Sequence, residues 1–226
     1  MEDGNQMIKI IYEDNHILVV EKPINIPVQE DSSKDKDLLT MLKQYIKEKN
    51  NKPGNVYLGL VHRLDRPVGG VMVFAKTSKA ASRLSEQVRT NKLKKIYHAV
   101  VLGNLQKTGH LEDYLIKDSK TNTTRIDKSG KLSILDYKLI NKVNELNLVE
   151  ISLKTGRSHQ IRVQFSSRNT PLYGDQRYNP QSKVGEQIAL YATSLTLEHP
   201  TTKEILTFKT NLPNKYPWNI FDVNKC

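Results

Sequence analysis

The sequence has almost no cysteine: Cys226, the last residue, stands alone. One thiol cannot close a disulfide within the chain, so no oxidising compartment is required. Long apolar runs are missing too. Stretches such as Ile17-Leu18-Val19-Val20 fall far short of the roughly 20 residues that a membrane-spanning helix needs. The opening MEDGNQMIKI is acidic and polar, without the apolar stretch of a secretory signal. Metal-ligand spacing is absent, because His16, His62, His98, His110, His159 and His199 are scattered and no cysteine joins them. There is no Walker-type phosphate loop and no G-x-G-x-x-G. These absences describe a cytosolic chain with no cofactor and no membrane association, whose chemistry must run on side chains alone.

Acidic residues are also in deficit. Asp and Glu total 24 against 35 Lys and Arg, a formal charge of +11 over 226 residues. Such a balance suits a polyanionic partner, nucleic acid first. A solvated cationic surface in a lysine-rich chain would give the same count.

The order of elements mixes hairpins with a few helices. Residues 8–20 hold two short strands, IKIIY and HILVV, split by the turn-like EDN. KPINIPVQEDSSKDKD (22–37) is a loop whose charges face water. LLTMLKQYIKEK (38–49) has helical spacing, with Asp37 as N-cap. VMVFAK (71–76) is a strand, and Ser78 can cap the helix KAASRLSEQVRT. Strands follow at 94–105 and 110–116, then KLSILDYKLINKV and ELNLVEISLKT, paired through a turn near Val143-Asn144. SHQIRVQFSSR (158–168) reads as a helix with Ser158 as its cap. ALYATSLTLEH and EILTFKTNL form a last strand pair around PTTK. The class is α+β, with a mixed, largely antiparallel sheet rather than a Rossmann alternation.

Three stretches could carry chemistry. In VHRLDRPVGG (61–70), Asp65 lies between Arg63 and Arg66, with His62 close by and Gly69-Gly70 following. Arginine neighbours hold a carboxylate ionised, and an ionised carboxylate can act as nucleophile or base. A structural Asp-Arg pair at a turn is the competing reading. In KTGRSHQIR (154–162) a strand ends and a helix begins among Arg157, His159, Gln160 and Arg162. That arrangement suits an anion, or is a plain turn with solvated arginines. In NKLKKIYHAVV (91–101) three lysines lead into a strand carrying Tyr97. Basic side chains beside an aromatic suit RNA; edge-strand lysines that block aggregation are the alternative.

Taken together, these stretches resemble the RluA-type pseudouridine synthases. HRLDRPVGGVMVFAK resembles that family's HRLD motif and the strand after it. KKIYHAVVLG is similar to its K-x-Y-x-A-x-V segment, LKTGRSHQIRVQF and PLYGDQRY to its TGR-x-HQIR and GD-x-x-Y segments, and EDNHILVVEKPINIPVQ to its opening. The likeness runs from about Ile10 to about Leu212, in the family's order. Val68-Gly69 stands where the family has Thr-Ser, and Gln164 where it often has His.

The resemblance implies one catalytic domain over residues 1–226, without a separate N-terminal RNA-binding domain, folded around a central RNA-binding cleft. It implies isomerisation of uridine to pseudouridine in ribosomal or transfer RNA, without cofactor or metal; a monomer is the default expectation. Asp65, Tyr97 and Arg162 would be catalytic; His62, Arg63, Leu64, Lys95, Arg157 and His159 would contact RNA or substrate. Asp65 would attack C1′ or take the C2′ proton, and Arg162 would pair with it. Tyr97 would stack on the uracil, and Arg63 would fill the gap left by the extruded base. An RNA chaperone of this fold would share the basic surface without catalysis. A glycoside hydrolase would need a second carboxylate near Asp65, and the stretch offers none.

Overall fold

The computed structural model describes residues 8–51 and 53–221; Cys226 and the first seven residues lie outside them. The chain divides into two compact units, Met1–Leu93 with Ser194–Thr210 and Lys94–Thr193 with Asn211–Cys226.

The first unit opens with strands β1 (Lys9–Glu13) and β2 (Ile17–Lys22), paired antiparallel as the EDN turn predicts. Asp14 makes that turn, its Oδ1 accepting the N–H groups of His16 at 2.7 Å and Ile17 at 2.8 Å. Helix α1 (Leu38–Lys49) begins at Asp37, whose side chain accepts the Thr40 N–H at 3.0 Å. Leu38, Leu42 and Ile46, one face at helical spacing, are buried. The short strand β3 (Gly59–Leu60) precedes β4 (Gly69–Ala75), which pairs antiparallel with both β2 and β3.

Strands β2 and β4 are buried on both faces, so their alternation gives way to near-continuous apolar runs. Ile17, Val19, Val71, Val73 and Ala75 point into one core. Helix α2 (Ser78–Arg89) adds Ala80 and Leu84 to it. The cap of α2 is Thr77 rather than Ser78: its extended backbone (φ −135°, ψ 154°) is what an N-cap requires, and its hydroxyl accepts the Ala80 N–H at 3.1 Å.

The second unit is built on β5 (Lys94–Leu102), β6 (Thr108–Asp118), β7 (Thr123–Ile126), β8 (Lys131–Val143) and β9 (Leu146–Leu153). Every pairing is antiparallel, in the order β5-β9-β8-β6-β7. The β8–β9 hairpin turns at Asn144, where a left-handed φ of 53° suits asparagine. Strand β7, Thr-Thr-Arg-Ile, has no apolar alternation; pairing with β6 makes it a strand.

Helix α3 spans only Gln160–Ser166, and His159, at φ 52°, takes the cap position expected of Ser158 without a side-chain cap bond. Gln160 through Phe165 are all buried, polar residues included. Strand β10 (Leu190–Glu198) begins in this unit and ends in the first, where it pairs antiparallel with β11 (Ile205–Lys209) and brings Leu195, Leu197 and Phe208 to the core. The α+β class and the antiparallel bias are as the sequence predicts.

Candidate active site

Asp65 sits in a turn just before β4. The Val68 N–H closes it onto the Asp65 carbonyl at 3.0 Å. Leu64 and Val68 are buried on either side, leaving Asp65 half-buried and Arg63 and Arg66 exposed. Two apolar anchors thus fix a short polar turn without covering it. Gly70, at φ 124°, takes a backbone conformation that a side chain would strain. His62 is buried, and its Nε2 accepts the Val73 N–H at 3.0 Å, which ties the approach to the turn onto β4.

Beneath the turn lies a residue that the sequence pattern placed in the water-facing loop 22–37, and the structure corrects this. Lys22, at the end of β2, is fully buried. Its ammonium donates to the carbonyls of Pro23 at 2.9 Å, Arg66 at 2.9 Å and Val68 at 2.8 Å. Two of these belong to the Asp65 turn. Burial pushes the Lys22 pKa down to about 7; the negative charge of Asp65 works the other way, and Arg66 adds to the lowering.

Arg66 does not hold Asp65. Its guanidinium turns to the loop before α1, pairing with Asp35 and Asp31 and donating to Ser33 Oγ at 3.0 Å. The loop charges therefore clamp an arginine as well as facing water. Arg63 has no hydrogen bond or ion pair among the described residues.

In the second unit, Tyr97 lies mid-strand on β5 opposite Ile151 and is 7% exposed. Lys95, two residues earlier, shares its face. Arg162, on α3, is also buried. Its Nε and Nη2 reach the two oxygens of Asp175 at 2.9 and 2.7 Å, the bidentate geometry suited to guanidinium. Asp175 Oδ1 accepts the N–H of Arg177 at 3.1 Å as well. The Arg162 guanidinium lies 5.1 Å from the centre of the Tyr178 ring. Tyr178 OH takes the Thr124 N–H at 2.8 Å and sits 2.7 Å from His159 Nδ1, while burial raises the phenol's pKa. Arg162 is thus held by charge at its head and by a ring at its flank.

The turn before α3 is set by glutamine side chains. Gln160 Oε1 accepts from Thr155 Oγ1 at 2.8 Å and from the Arg157 N–H at 3.1 Å. Its amide donates to the Ile134 carbonyl and to Gln164 Oε1, both at 3.1 Å. Gln164 passes the chain on, donating to Asp113 at 2.8 Å and to the Ser133 carbonyl at 3.2 Å; Asp113 in turn holds Arg168. An amide suits position 164 because it accepts and donates at once. Arg157 is exposed, its Nε on the Leu132 carbonyl at 3.1 Å. Among the described residues no group of His, Cys, Asp or Glu could hold a metal, and no helix is long and apolar enough to cross a membrane.

The profile of the family described as RNA pseudouridylate synthase matches residues 16–167, which takes in the Asp65 turn, Tyr97 and Arg162. The chain belongs to this family. It is an RNA pseudouridine synthase, an isomerase acting on RNA.

Among its relatives is an RNA pseudouridine synthase of Bacillus subtilis (strain 168), YhcT, 33% identical and covering 91% of this chain and 69% of its own length. Another is ribosomal large subunit pseudouridine synthase D of Pseudomonas aeruginosa, 30% identical over 93% of this chain and 70% of the relative. Of solved structures, human RNA pseudouridylate synthase domain containing 4 shares the fold with a TM-score of 0.77 at 22% identity, covering 91% of this chain and 88% of that one.

Asp175 and Tyr178 lie beyond the matched span, inside the PLYGDQRY stretch. Their signal was that motif, whereas Lys22 had only its place at the end of an apolar strand, before a proline.

Proposed function

We propose that this synthase isomerises a specific uridine in structured RNA, ribosomal or transfer, with Asp65 as the reactive carboxylate. The observation that carries the reading is the Asp65 turn: a half-buried carboxylate between apolar anchors, over a buried lysine that braces the turn's carbonyls. The name of the Pseudomonas relative favours ribosomal RNA of the large subunit.

The reaction breaks the bond from uracil N1 to ribose C1′. The base turns and rejoins through C5, which loses its proton, so atoms balance with no redox change. Asp65 either attacks C1′ or removes the C2′ proton. Tyr97 stacks on the uracil, near the C5 proton. Arg162 supplies a fixed positive charge to the reaction; Asp175 and Tyr178 hold that guanidinium in place. Arg63, exposed and unpaired among the described residues, takes the place of the extruded base. Leu64 fixes the turn, while Arg157 and His159 contact RNA. The synthase works as a monomer in the cytoplasm, where ribosomal RNA is met.

The test is tritium release from RNA labelled at uridine C5. The wild-type protein releases tritium and Asp65→Asn does not. Release by both would remove Asp65 from the chemistry; release by neither, across ribosomal and transfer RNA, would remove the substrate assignment.

A further inference from the structure

Lys95 is a basic side chain that the fold leaves unused. It has no hydrogen bond and no ion pair among the described residues. It is nevertheless largely shielded from water, and burial alone lowers its pKa, with no carboxylate raising it. Lys22, the other shielded lysine of this kind, has three carbonyls around its head. A shielded ammonium without acceptors or counter-charge costs stability, so a fold that keeps one without compensation is keeping it for a ligand.

The surroundings say what kind of ligand. Lys95 points to the face of β5 that carries Tyr97. A methyl group at Gly156 would lie 3.4 Å from Lys95 Nζ, and Gly156 is itself exposed. Gly156 is not among the residues with positive φ, so its backbone does not demand glycine. What glycine preserves there is open space beside the ammonium. An anion fits that space better than a neutral base edge, because the missing element is negative charge.

We propose that Lys95 and the Gly156 turn form a subsite for one phosphodiester of the RNA strand. The proposal rests on the RNA-modifying reading and deepens it, placing a backbone anion on the Tyr97 face of β5.

The experiment measures binding of a short oligouridylate across a salt series for the wild type, Lys95→Met and Gly156→Ala. Lys79→Met, an exposed lysine on α2, controls for general loss of charge. Removing one phosphate contact from a single strand lowers the slope of log K against log salt by about 0.7. Lys95→Met shows that drop, Gly156→Ala weakens binding at each salt, and Lys79→Met does neither.

Thermal unfolding without RNA supplies a second readout. Lys95→Met melts above the wild type, because a shielded charge has been removed, and loses that advantage when RNA is added. An unchanged slope, or a lower melting point with unchanged binding, overturns the proposal and makes Lys95 a structural residue. Tritium release by the wild type is scored separately. If it fails while the slope drops, the subsite stands and the uridine chemistry falls; if it succeeds while the slope holds, the subsite alone falls.

Discussion

Two buried cations serve the two candidate regions, and the fold treats them differently. Lys22 in the first unit is surrounded by three carbonyl oxygens, which carry only partial charge. Arg162 in the second unit faces a full carboxylate, Asp175, in a bidentate pair. The lysine's pKa falls to about 7. A guanidinium cannot be deprotonated under ordinary conditions and keeps its charge whatever the burial. The first region is thus set by a cation close to losing its proton, the second by one that cannot lose it. A residue that only braces a backbone turn can tolerate the former. A residue that must keep its charge at every pH needs the latter.

The largest effect that would sharpen this contrast comes from Asp175→Ala. It takes the bidentate carboxylate from a buried guanidinium and should cost about 3–5 kcal/mol in denaturant unfolding. A loss under about 1 kcal/mol would mean that Arg162 finds compensation elsewhere.

Lys22→Met comes next. It removes three hydrogen bonds but also a desolvated charge, so the net loss is smaller, about 2 kcal/mol. The pH dependence is the more telling result. The folded pKa of Lys22 lies below its ordinary 10.5, so between about 7 and 10.5 the unfolded chain binds more protons than the native one. Stability from this group therefore rises with pH through that window, and the full penalty is present below it. The wild-type minus Lys22→Met difference in melting temperature should climb from pH 7 to pH 10. A flat difference would show that Lys22 is not desolvated as its burial indicates.

Gln164→His tests the amide relay at about 1 kcal/mol, since an imidazole cannot replace both the acceptance from Gln160 and the paired donation to Asp113 and Ser133. Equal or greater stability would show that histidine fits this chain as it fits many of its family. The smallest effect belongs to Arg66→Gln, whose partners are exposed loop acids: a loss below that of Gln164→His, fading with salt. A larger loss would mean that the loop clamp, and not Lys22, fixes the Asp65 turn.

Much of the framework was legible because it obeys local rules. The Asp37 cap, the Asp14 turn and the β8–β9 hairpin at Asn144 follow from the preferences of single residues. Where two candidates stood side by side, local preference misjudged the outcome. Thr77 rather than Ser78 caps α2, and His159 rather than Ser158 occupies the position before α3, because backbone angles and not side-chain type decide. Strand β7 carried no periodic signal, since its ladder with β6 supplies what its side chains do not.

By itself the sequence determined the element order, the basic surface, the family and the short motifs that hold Asp65, Tyr97 and Arg162. Those properties depend on residue identity and spacing along the chain. Only the tertiary structure decided which charge answers which. Arg66 turned from the aspartate beside it to acids in a distant loop, and Lys22 came under the turn from the end of another strand. Arg162 pairs with Asp175, a carboxylate beyond its own helix. Electrostatic partnership depends on distance in space and on burial, and neither is written in the spacing of residues along a chain.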